Sequence, residues 1–320
     1  MPSSVSGEKS YAVDKCKYTF LLPAYRSRYL GDALKSILDQ RYGSFRVIVS
    51  DDASTEPLKE IVSTLDDPRV TYRRNPANLG AGQLVAHWNL LLGSCESEYV
   101  IIAADDDLYH PGFLEQVDRL AQQHPEADIL RTRACVIDRD GQIVRTEQGT
   151  AEWFSTGDFL DYLLQPESVL CIGNYVFRTD ALKAAGGFVP FPLGWKSDSA
   201  TQILLSRSGM PCTQDVLFSF RMSGLNISSR QEPDRETDRL KLTALVDFDT
   251  WLSRHVPADV LQPCQRRIRN RLEGESRSYL WVLPFSGFRA VFRKFRIEAW
   301  FLSFRNQLSF VWCWIRTRHA

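Results

Sequence analysis

The spacing of apolar residues in the first part of the chain alternates between two patterns. Short, almost wholly apolar runs predict buried strands, and runs with apolar residues three or four positions apart predict helices. The predicted strands are YTFLL (18–22), FRVIVS (45–50), VTYRR (70–74) and YVIIAA (99–104). The predicted helices cover 29–40, about 55–65, 83–94 and 111–123. Strands that alternate with helices predict a doubly wound α/β fold with a mostly parallel sheet.

The pattern changes in the second part of the chain. Two extended runs over 127–145, joined by the turn Asp140-Gly141, predict a hairpin. The next predicted elements are the helix TGDFLDYLLQ, the strand VLCIGNYVFR, the helix TDALKAAGG, a helix over 198–209 and a strand and loop over VLFSFRMSGLNISS. Beyond Arg230 the pattern is helical. We therefore predict an N-terminal tail (1–17), an α/β domain (18–228) and a helical C-terminal region (229–320).

The composition is that of a soluble globular protein, with 44% hydrophobic and 24% charged residues. The formal net charge is +0, so no overall positive field indicates a nucleic-acid partner. The seven cysteines include no C-x-x-C pair, which is typical of reduced thiols in the cytosol. The first 17 residues contain no apolar signal-peptide core, and no uncharged apolar run approaches the roughly 20 residues that span a bilayer. We expect a cytoplasmic protein.

Acidic residues follow two of the predicted strands. Asp51 and Asp52 come after 45–50, and the triplet Asp105, Asp106 and Asp107 comes after 99–104. Because ligands bind beyond the carboxyl ends of such strands, we expect both clusters to face one crevice. Adjacent carboxylates repel one another unless a cation lies among them, and Mg²⁺ or Mn²⁺ takes carboxylate oxygens together with substrate phosphates. The alternative is a solvated turn before the next helix.

Four motifs together resemble the family 2 glycosyltransferases. They are the segment FLLPAY to SDDAST (20–55), NPANLG (75–80), EYVIIAADDDLYHPGFLE (98–115) and GGF to GWKSDSA (186–200). The resemblance covers about 18–228 and implies the GT-A nucleotide-diphospho-sugar transferase fold with a helical C-terminal extension. It also implies inverting transfer of a sugar from a UDP- or dTDP-sugar to a hydroxyl of a glycan or lipid-linked acceptor, with Mn²⁺ or Mg²⁺ as cofactor.

The resemblance implies roles for individual residues as well. Asp106 matches the metal ligand, in a register fixed by Pro111, which should be the first residue of the next helix. The family often has an aspartate where this chain has Ala104, so Asp107 shares the predicted metal role. The residues implied in donor binding are Pro23, Ala24, Tyr25, Asp51, Asp52, Asn78, Gly80, Asp105 and Arg221.

The transfer reaction requires a base that takes the proton of the acceptor hydroxyl. The resemblance assigns this role to Asp198, which follows the GGF turn. Asp198 or Ser197 also fits the cap of the helix that starts here. The nearby Trp195 would provide an apolar surrounding that suits a base. One displacement with one base predicts inversion of the anomeric configuration.

Five residues are candidates for roles at the edges of the site. Arg221, in a segment that resembles a loop closing over the donor, would meet the diphosphate or form a surface salt bridge. Ser223 and Asn226 would order that loop. His87 stands near the place where many members carry an Arg-Asn pair, although a histidine inside an apolar helix is more often a packed residue than a ligand. Asn174 is a candidate on the acceptor side.

The segment 281–320 mixes Trp and Phe with Arg at short intervals. An amphipathic helix with cations on its polar face binds anionic membrane surfaces, so this segment predicts attachment to the inner membrane surface. Packing on the α/β domain, or dimerisation, would explain the same pattern.

Two other functions fit parts of the sequence. A sugar nucleotidyltransferase would need a Gly-rich phosphate loop after the first strand, which LLPAYRSRYLG lacks, although Arg26 and Arg28 supply cations there. The second alternative is a catalytically degenerate module that binds a nucleotide-sugar and is tethered to the membrane.

Overall fold

The computed structural model describes residues 16–224, 228 and 234–279. The strands are β1 (Tyr18–Ala24), β2 (Phe45–Asp51), β3 (Val70–Arg74), β4 (Tyr99–Ile102), β5 (Leu108–Tyr109), β6 (Ile129–Ile137), β7 (Ile143–Thr146), β8 (Trp153–Phe154), β9 (Tyr175–Arg178) and β10 (Met210–Arg221). The helices are α1 (Leu30–Leu38), α2 (Leu58–Ser63), α3 (Leu84–Gly93), α4 (Phe113–Gln123), α5 (Thr156–Tyr162), α6 (Thr179–Ala184), α7 (Ser197–Leu205), α8 (Arg235–His255) and α9 (Ala258–Arg277). The predicted alternation of strands and helices through α4 is confirmed.

The strands form one sheet in the order β3-β2-β1-β4-β9-β6-β10-β5, with β7 added to β6 and β8 to β10. The first four strands of this order are parallel, as predicted. Beyond β4 the sheet is mixed, because β9 runs antiparallel to both of its neighbours while β6 and β10 are parallel to each other. The parallel half places the carboxyl ends of β1, β2 and β4 side by side.

Helices cover both faces of the sheet. On one face, α1, α2 and α4 bury Leu34, Val62 and Val117 in one apolar cluster with strand residues. On the other face, α3 and α5–α7 contribute to a second cluster. Leu245 of α8 and Ile268 of α9 belong to that second cluster, so the described part of the C-terminal region shares a core with the sheet.

The element boundaries correct two predictions from the sequence. The segment after the acidic triplet is extended, because Leu108 and Tyr109 pair with β10. The helix α4 therefore begins at Phe113, with Gly112 as its N-cap, and Pro111 is not its first residue. The strand expected over VLCIGNYVFR is limited to Tyr175–Arg178.

The cysteines of the described residues are free thiols. Over 16–224, 228 and 234–279, none of the helices combines the length and apolarity that crossing a bilayer requires. The segment 281–320 lies outside the described residues, so attachment to a membrane surface stays a prediction.

Candidate active site

A cleft of about 660 Å³ opens at the carboxyl ends of the parallel strands β1, β2 and β4. The loop over 192–196 and the first turn of α7 bound its other side. The predicted site residues that line the cleft are Pro23, Ala24, Tyr25, Asp52, Asn78, Gly80, Asp105, Asp106, Asp107 and Asp198. The two acidic clusters therefore reach one crevice, as the sequence predicted, through Asp52 and the triplet.

Asp105 joins the end of β4 to the loop that follows β1. Its Oδ2 accepts hydrogen bonds from the backbone N–H groups of Tyr25 (3.0 Å) and Arg26 (2.9 Å). Burial raises the pKa of this carboxyl, and the two N–H groups oppose the rise. The first acid of the triplet thus shapes the part of the wall that Tyr25 and Arg26 form.

Asp107 has a different environment from its neighbours. Its side chain is buried, and its Oδ1 accepts a hydrogen bond from the backbone N–H of Arg221 at 2.8 Å. Burial and the charge of Asp106 hold the pKa of Asp107 well above its usual range. Asp107 therefore anchors the end of β10 beside the cleft.

Asp106, the middle residue of the triplet, also lines the cleft. Burial, and then the charge of Asp105, raise the pKa of Asp106 to about 7, although the guanidinium of Arg221 lowers it in part. A pKa near 7 means that the site disfavours a second negative charge unless a cation is present. Asp106 is thus the member of the triplet that a cation would stabilise most directly.

The donor atoms available here fit a metal whose shell is completed by substrate. Among the described residues, no group of three or more His, Cys, Asp and Glu side chains is arranged to hold a metal by itself. Mg²⁺ and related ions commonly bind one or two carboxylates and take phosphate oxygens and waters as the other ligands. Asp106 fits this arrangement, whereas Asp107 is already used by the Arg221 backbone.

Asp52 organises the NPANLG loop. Its carboxylate accepts hydrogen bonds from Asn75 Nδ2 (2.8 Å), Leu79 N (2.9 Å) and Gly80 N (3.0 Å). Asn78 Nδ2 donates to the Asp52 carbonyl oxygen at 3.0 Å. Burial pushes the pKa of Asp52 upward, but the three hydrogen bonds more than offset it and the pKa is lowered. Asp52 is therefore an ionised, fixed acceptor at the cleft wall.

Asp51 and Arg221 do not belong to the cleft lining. Asp51 is fully buried, and its carboxylate accepts hydrogen bonds from Ser54 N at 2.7 Å and from the side chains of Tyr72 and Arg74. These contacts hold β2, β3 and the following turn together. We therefore leave Asp51 out of the donor site.

Arg221 is buried, so it is not the surface residue considered from the sequence. Its guanidinium lies 4.4 Å from the centre of the Tyr29 ring. Arg221 Nε donates to the Asp106 carbonyl oxygen at 2.8 Å, and Nη1 donates to the Asp138 carbonyl oxygen at 3.2 Å. Arg221 thus fixes the backbone of the triplet from behind.

Asp198 lies in the first turn of α7, facing the cleft. The N-cap of α7 is Lys196, so the expectation that Asp198 or Ser197 caps this helix is wrong. Asp198 Oδ1 accepts a hydrogen bond from Ser199 N at 2.7 Å. Burial raises the pKa of Asp198, and the Ser199 N–H and the charge of Lys196 offset only part of the rise. A raised pKa suits a general base.

Several cleft residues were not assigned to a donor site from the sequence. Arg26 and Arg28 follow β1, and Lys196 precedes Asp198, so three cations line a cleft that contains the acidic triplet. Their position just after a strand end, or just before the predicted base, could have indicated them. His87 and Trp88 of α3 also line the cleft.

His87 is buried, and its Nε2 lies 2.7 Å from Ser50 Oγ. Burial lowers its pKa, although Asp52 raises it in part, which favours a neutral imidazole.

Asn89 lies away from the cleft lining: its Oδ1 accepts from Phe188 N at 2.8 Å and its Nδ2 donates to Phe188 O at 3.1 Å. Asn89 thus holds the GGF turn. That turn needs Gly187, since a Cβ there would lie 2.4 Å from Asn89 Oδ1 and φ is +88°.

Three other candidates have the following positions. Asn174 is fully buried and donates to the Thr132 carbonyl oxygen at 2.6 Å, and it is not part of the cleft lining. Ser223 lines the cleft, and Asn226 lies outside the described residues.

The sequence profile described as Glycosyl transferase family 2 matches residues 19–186, which is more than half of the chain. The chain belongs to glycosyl transferase family 2, as its motifs predicted. The region matched ends before α7, so Asp198 and the C-terminal helices lie beyond it.

Named relatives share part of their length with the chain. It is 29% identical over 191 residues to the putative colanic acid biosynthesis glycosyl transferase WcaA of Escherichia coli, covering 54% of this chain and 66% of the relative. It is 26% identical over 138 residues to the glycosyltransferase MJ1057 of Methanocaldococcus jannaschii, covering 42% and 47%. It is 24% identical over 221 residues to the putative teichuronic acid biosynthesis glycosyltransferase TuaG of Bacillus subtilis, covering 66% and 81%. The chain thus spans less than two thirds of WcaA and about half of MJ1057.

Two solved structures have the same fold. The 1–349 chain of S. aureus TarS, in complex with UDP-GlcNAc, has a TM-score of 0.56 at 16% identity, covering 84% of this chain and 82% of that TarS chain. The mannosyltransferase PcManGT of Pyrobaculum calidifontis, in complex with GDP-Man and Mn²⁺, has a TM-score of 0.55 at 18% identity, covering 97% and 82%. At these identities the likeness shows the fold, and the predicted GT-A fold is confirmed.

Proposed function

We propose that this protein transfers a sugar from a nucleotide-diphosphate donor, a UDP- or dTDP-sugar, to a hydroxyl group of a saccharide acceptor, with inversion at the anomeric carbon. The proposal extends to the assembly of a cell-surface polysaccharide, because WcaA and TuaG are named for the biosynthesis of such polymers.

One observation carries the proposal: Asp198 and the acidic triplet line the same cleft as Asp52. A transferase needs a fixed donor site, a place for the departing diphosphate and a base on the acceptor side. Asp52 and its loop supply the donor site, Asp106 the place for the diphosphate, and Asp198 the base. The family match covers Asp52 and Asp106, which supports their roles, and it ends before Asp198.

In the proposed reaction, the Asp198 carboxylate takes the proton of the acceptor hydroxyl while that oxygen attacks the anomeric carbon. The new bond joins the acceptor oxygen to the anomeric carbon, and the bond from that carbon to the diphosphate oxygen breaks. The electron pair leaves with the nucleoside diphosphate. Because the attack and the departure occur on opposite faces, one step inverts the configuration.

A divalent cation, when bound, would neutralise the charge that develops on the departing diphosphate. Asp106 is the residue that would hold it. PcManGT was solved with GDP-Man and Mn²⁺, which supports Mn²⁺ as the first cation to test. Arg26 and Arg28 at the mouth of the cleft would add positive charge near the same phosphates.

The test uses a panel of UDP-, dTDP- and GDP-sugars with Mn²⁺. Binding is measured first as a thermal shift, and turnover as release of nucleoside diphosphate. We expect one donor to bind in a Mn²⁺-dependent way and to release its diphosphate. Binding without any release, with all acceptors tried, would support the non-catalytic module instead. Absence of Mn²⁺-dependent binding for every donor would refute the proposal.

A further inference from the structure

A groove of about 1160 Å³ adjoins the candidate active site. Leu170, Trp195, Lys196 and Phe220 line both the cleft and the groove, so the two spaces are continuous. Asp198 follows Lys196 by two residues and lies on the cleft side of this junction. The groove therefore approaches the proposed base from the side away from Asp52.

The charges that line the groove are unequal. Its cations are Arg145, Lys196, Arg267 and Arg271, and its acids are Asp161 and Glu275. Lys196 Nζ lies 2.8 Å from Glu275 Oε2, and Arg267 Nη2 lies 2.6 Å from Asp161 Oδ1. Both acids are thus already paired with a cation of the same groove.

The two remaining cations have no acidic partner among the described residues. Arg145 donates to the carbonyl oxygens of Pro166 (3.1 Å) and Ser168 (3.4 Å), which orient its guanidinium without neutralising it. Arg271 is exposed on α9 and forms no ion pair within the part of the chain that the structure describes. Two guanidinium groups in one groove favour an anionic ligand, because guanidinium matches carboxylate and phosphate geometry.

The groove also offers flat apolar surface. Trp195, Phe220, Met222 and Tyr279 line it, and Met222 is 48% exposed. Ligand sites that combine aromatic surface with a few convergent polar groups bind molecules having both apolar faces and polar edges. Sugar rings have this character.

We propose that this groove binds the acceptor, and that the acceptor is an acidic saccharide whose carboxylate or phosphate groups pair with Arg145 and Arg271. The inference rests on the proposed transferase function, because it takes Asp198 as the point where the acceptor hydroxyl must lie. It goes beyond that function by naming the chemical class of the acceptor.

One face of α9 builds a wall of this groove. This face presents the positions i, i+3, i+4, i+7 and i+8, which lie on one side of a helix: Arg267, Asn270, Arg271, Gly274 and Glu275. This helix lies beyond the region that the family profile matches. Arg271, one of the two cations without an acidic partner, thus comes from the C-terminal region, whereas Arg145 of β7 lies within the matched region.

The test measures binding of three saccharide probes to the full chain in the presence of UDP and Mn²⁺. The probes are tetragalacturonate, which carries carboxylates, a glycerol phosphate oligomer, which carries phosphates, and the neutral maltotetraose. We expect one or both acidic probes to bind at least about tenfold more tightly than maltotetraose, with a preference that weakens as salt screens the charges. Equal affinity for acidic and neutral probes would overturn the inference.

Three variants assign the binding to the groove. Arg145→Gln and Arg271→Gln should each weaken binding of the acidic probe by about five- to tenfold, in line with the loss of a charge-assisted hydrogen bond. Neither change should alter the binding of maltotetraose. Arg266→Gln is a matched change at an exposed position of α9 outside the groove, and it should weaken the binding of neither the acidic probe nor maltotetraose. Equal losses in all three variants would show diffuse charge attraction and would overturn the inference.

The failure of this inference is distinguishable from failure of the transferase function. If the wild-type chain binds no nucleotide with Mn²⁺, the transferase function fails. If it binds nucleotide but does not prefer an acidic probe, only the acceptor inference fails. Preference for tetragalacturonate over the glycerol phosphate oligomer, or the reverse, identifies which anionic group the guanidinium pair recognises.

Discussion

Glu275 Oε1 accepts a hydrogen bond from Trp195 Nε1 at 2.8 Å, so helix α9 is tied to the loop that leads into the proposed base. The other carboxylate oxygen pairs with Lys196. In this loop Leu193 has φ of 60° and Lys196 has φ of 70°, which is unfavourable for residues with a side chain and costs about 1–3 kcal/mol at each position. The loop holds this shape because its neighbours, Glu275 above all, fix it.

Glu275→Ala removes both contacts to the loop and should lower kcat by about 10- to 100-fold, since small displacements of a catalytic group have effects of this size. The affinity for nucleotide should stay the same, because Glu275 does not line the cleft where Asp52 and Asp106 lie. The measurements are kcat and the Kd for UDP. Glu273→Ala, on the same helix but paired with Arg277, is the matched control. An unchanged kcat in Glu275→Ala would contradict the positioning role.

The pH dependence of turnover should report the raised pKa of Asp198. The base must be ionised to take a proton, so activity falls as the pH drops through its pKa. Because burial raises that pKa, the acidic limb of kcat/KM should lie above the value of about 3.9 usual for aspartate. Asp198→Asn should keep nucleotide binding and lose turnover by about 10²- to 10⁴-fold. Normal turnover in that variant would show that another group is the base.

The buried carboxylate of Asp198 should also reduce the stability of the folded protein at neutral pH. The folded protein holds the Asp198 proton more tightly than the unfolded chain, so stability is lost as the pH rises from the usual aspartate value through the raised one. Asp198→Asn removes this loss, and its melting temperature at pH 7 should equal or exceed that of the wild type. The difference should shrink toward pH 3. A variant clearly less stable at pH 7 would argue that ionised Asp198 has a stabilising partner.

Neighbouring acids of the triplet should respond to substitution in different ways. Asp106→Ala should abolish the gain in UDP affinity that Mn²⁺ provides, with little loss of stability. Asp107→Ala removes the buried carboxylate that accepts the hydrogen bond of the Arg221 backbone N–H, so the free energy of unfolding should fall by about 1–3 kcal/mol. Isothermal titration with and without Mn²⁺, together with urea unfolding, separates the two effects. If Asp107→Ala lost Mn²⁺-dependent binding while staying fully stable, the shared metal role predicted for Asp107 would stand.

The adjacent pair at the end of β2 offers a second contrast. Asp51→Ala removes an acceptor shared by Ser54, Tyr72 and Arg74, and should cost about 1–3 kcal/mol of stability without changing the Kd for UDP. Asp52→Ala releases the NPANLG loop at the cleft wall and should weaken UDP binding. Should Asp51→Ala weaken UDP binding at full stability, the donor role suggested from the sequence would be restored.

The sequence was sufficient for the elements that have strong periodicity. The strands β1–β4 and helices α1 and α3 follow apolar runs whose spacing admits one interpretation. The two-residue strands β5 and β8 were not predicted, because their pairing with β10 depends on residues about a hundred and about sixty positions away. The predicted start of α4 at Pro111 was two residues early: β5 ends at Tyr109, and the helix begins at Phe113 with Gly112 as its N-cap.

The site shows a similar division. Position at a strand end identified Asp52 and the triplet, because the end of a parallel strand faces the cleft whatever else the chain does. It did not separate Asp51 from Asp52, whose side chains meet different partners. Nor did it indicate Glu275 or Arg271, since these residues reach the site only through the packing of a helix far along the chain.

Leu245 of α8 and Ile268 of α9 are buried in the same apolar cluster as strand residues. These two helices therefore cannot be replaced as an independent unit. A chimera that grafts another transferase's C-terminal helices onto this sheet would have to match the interior surface of α3 and α5–α7 as well as the groove. Directed evolution toward new acceptors is therefore better aimed at solvent-facing positions of α9, where the side chains can vary while the interior stays intact.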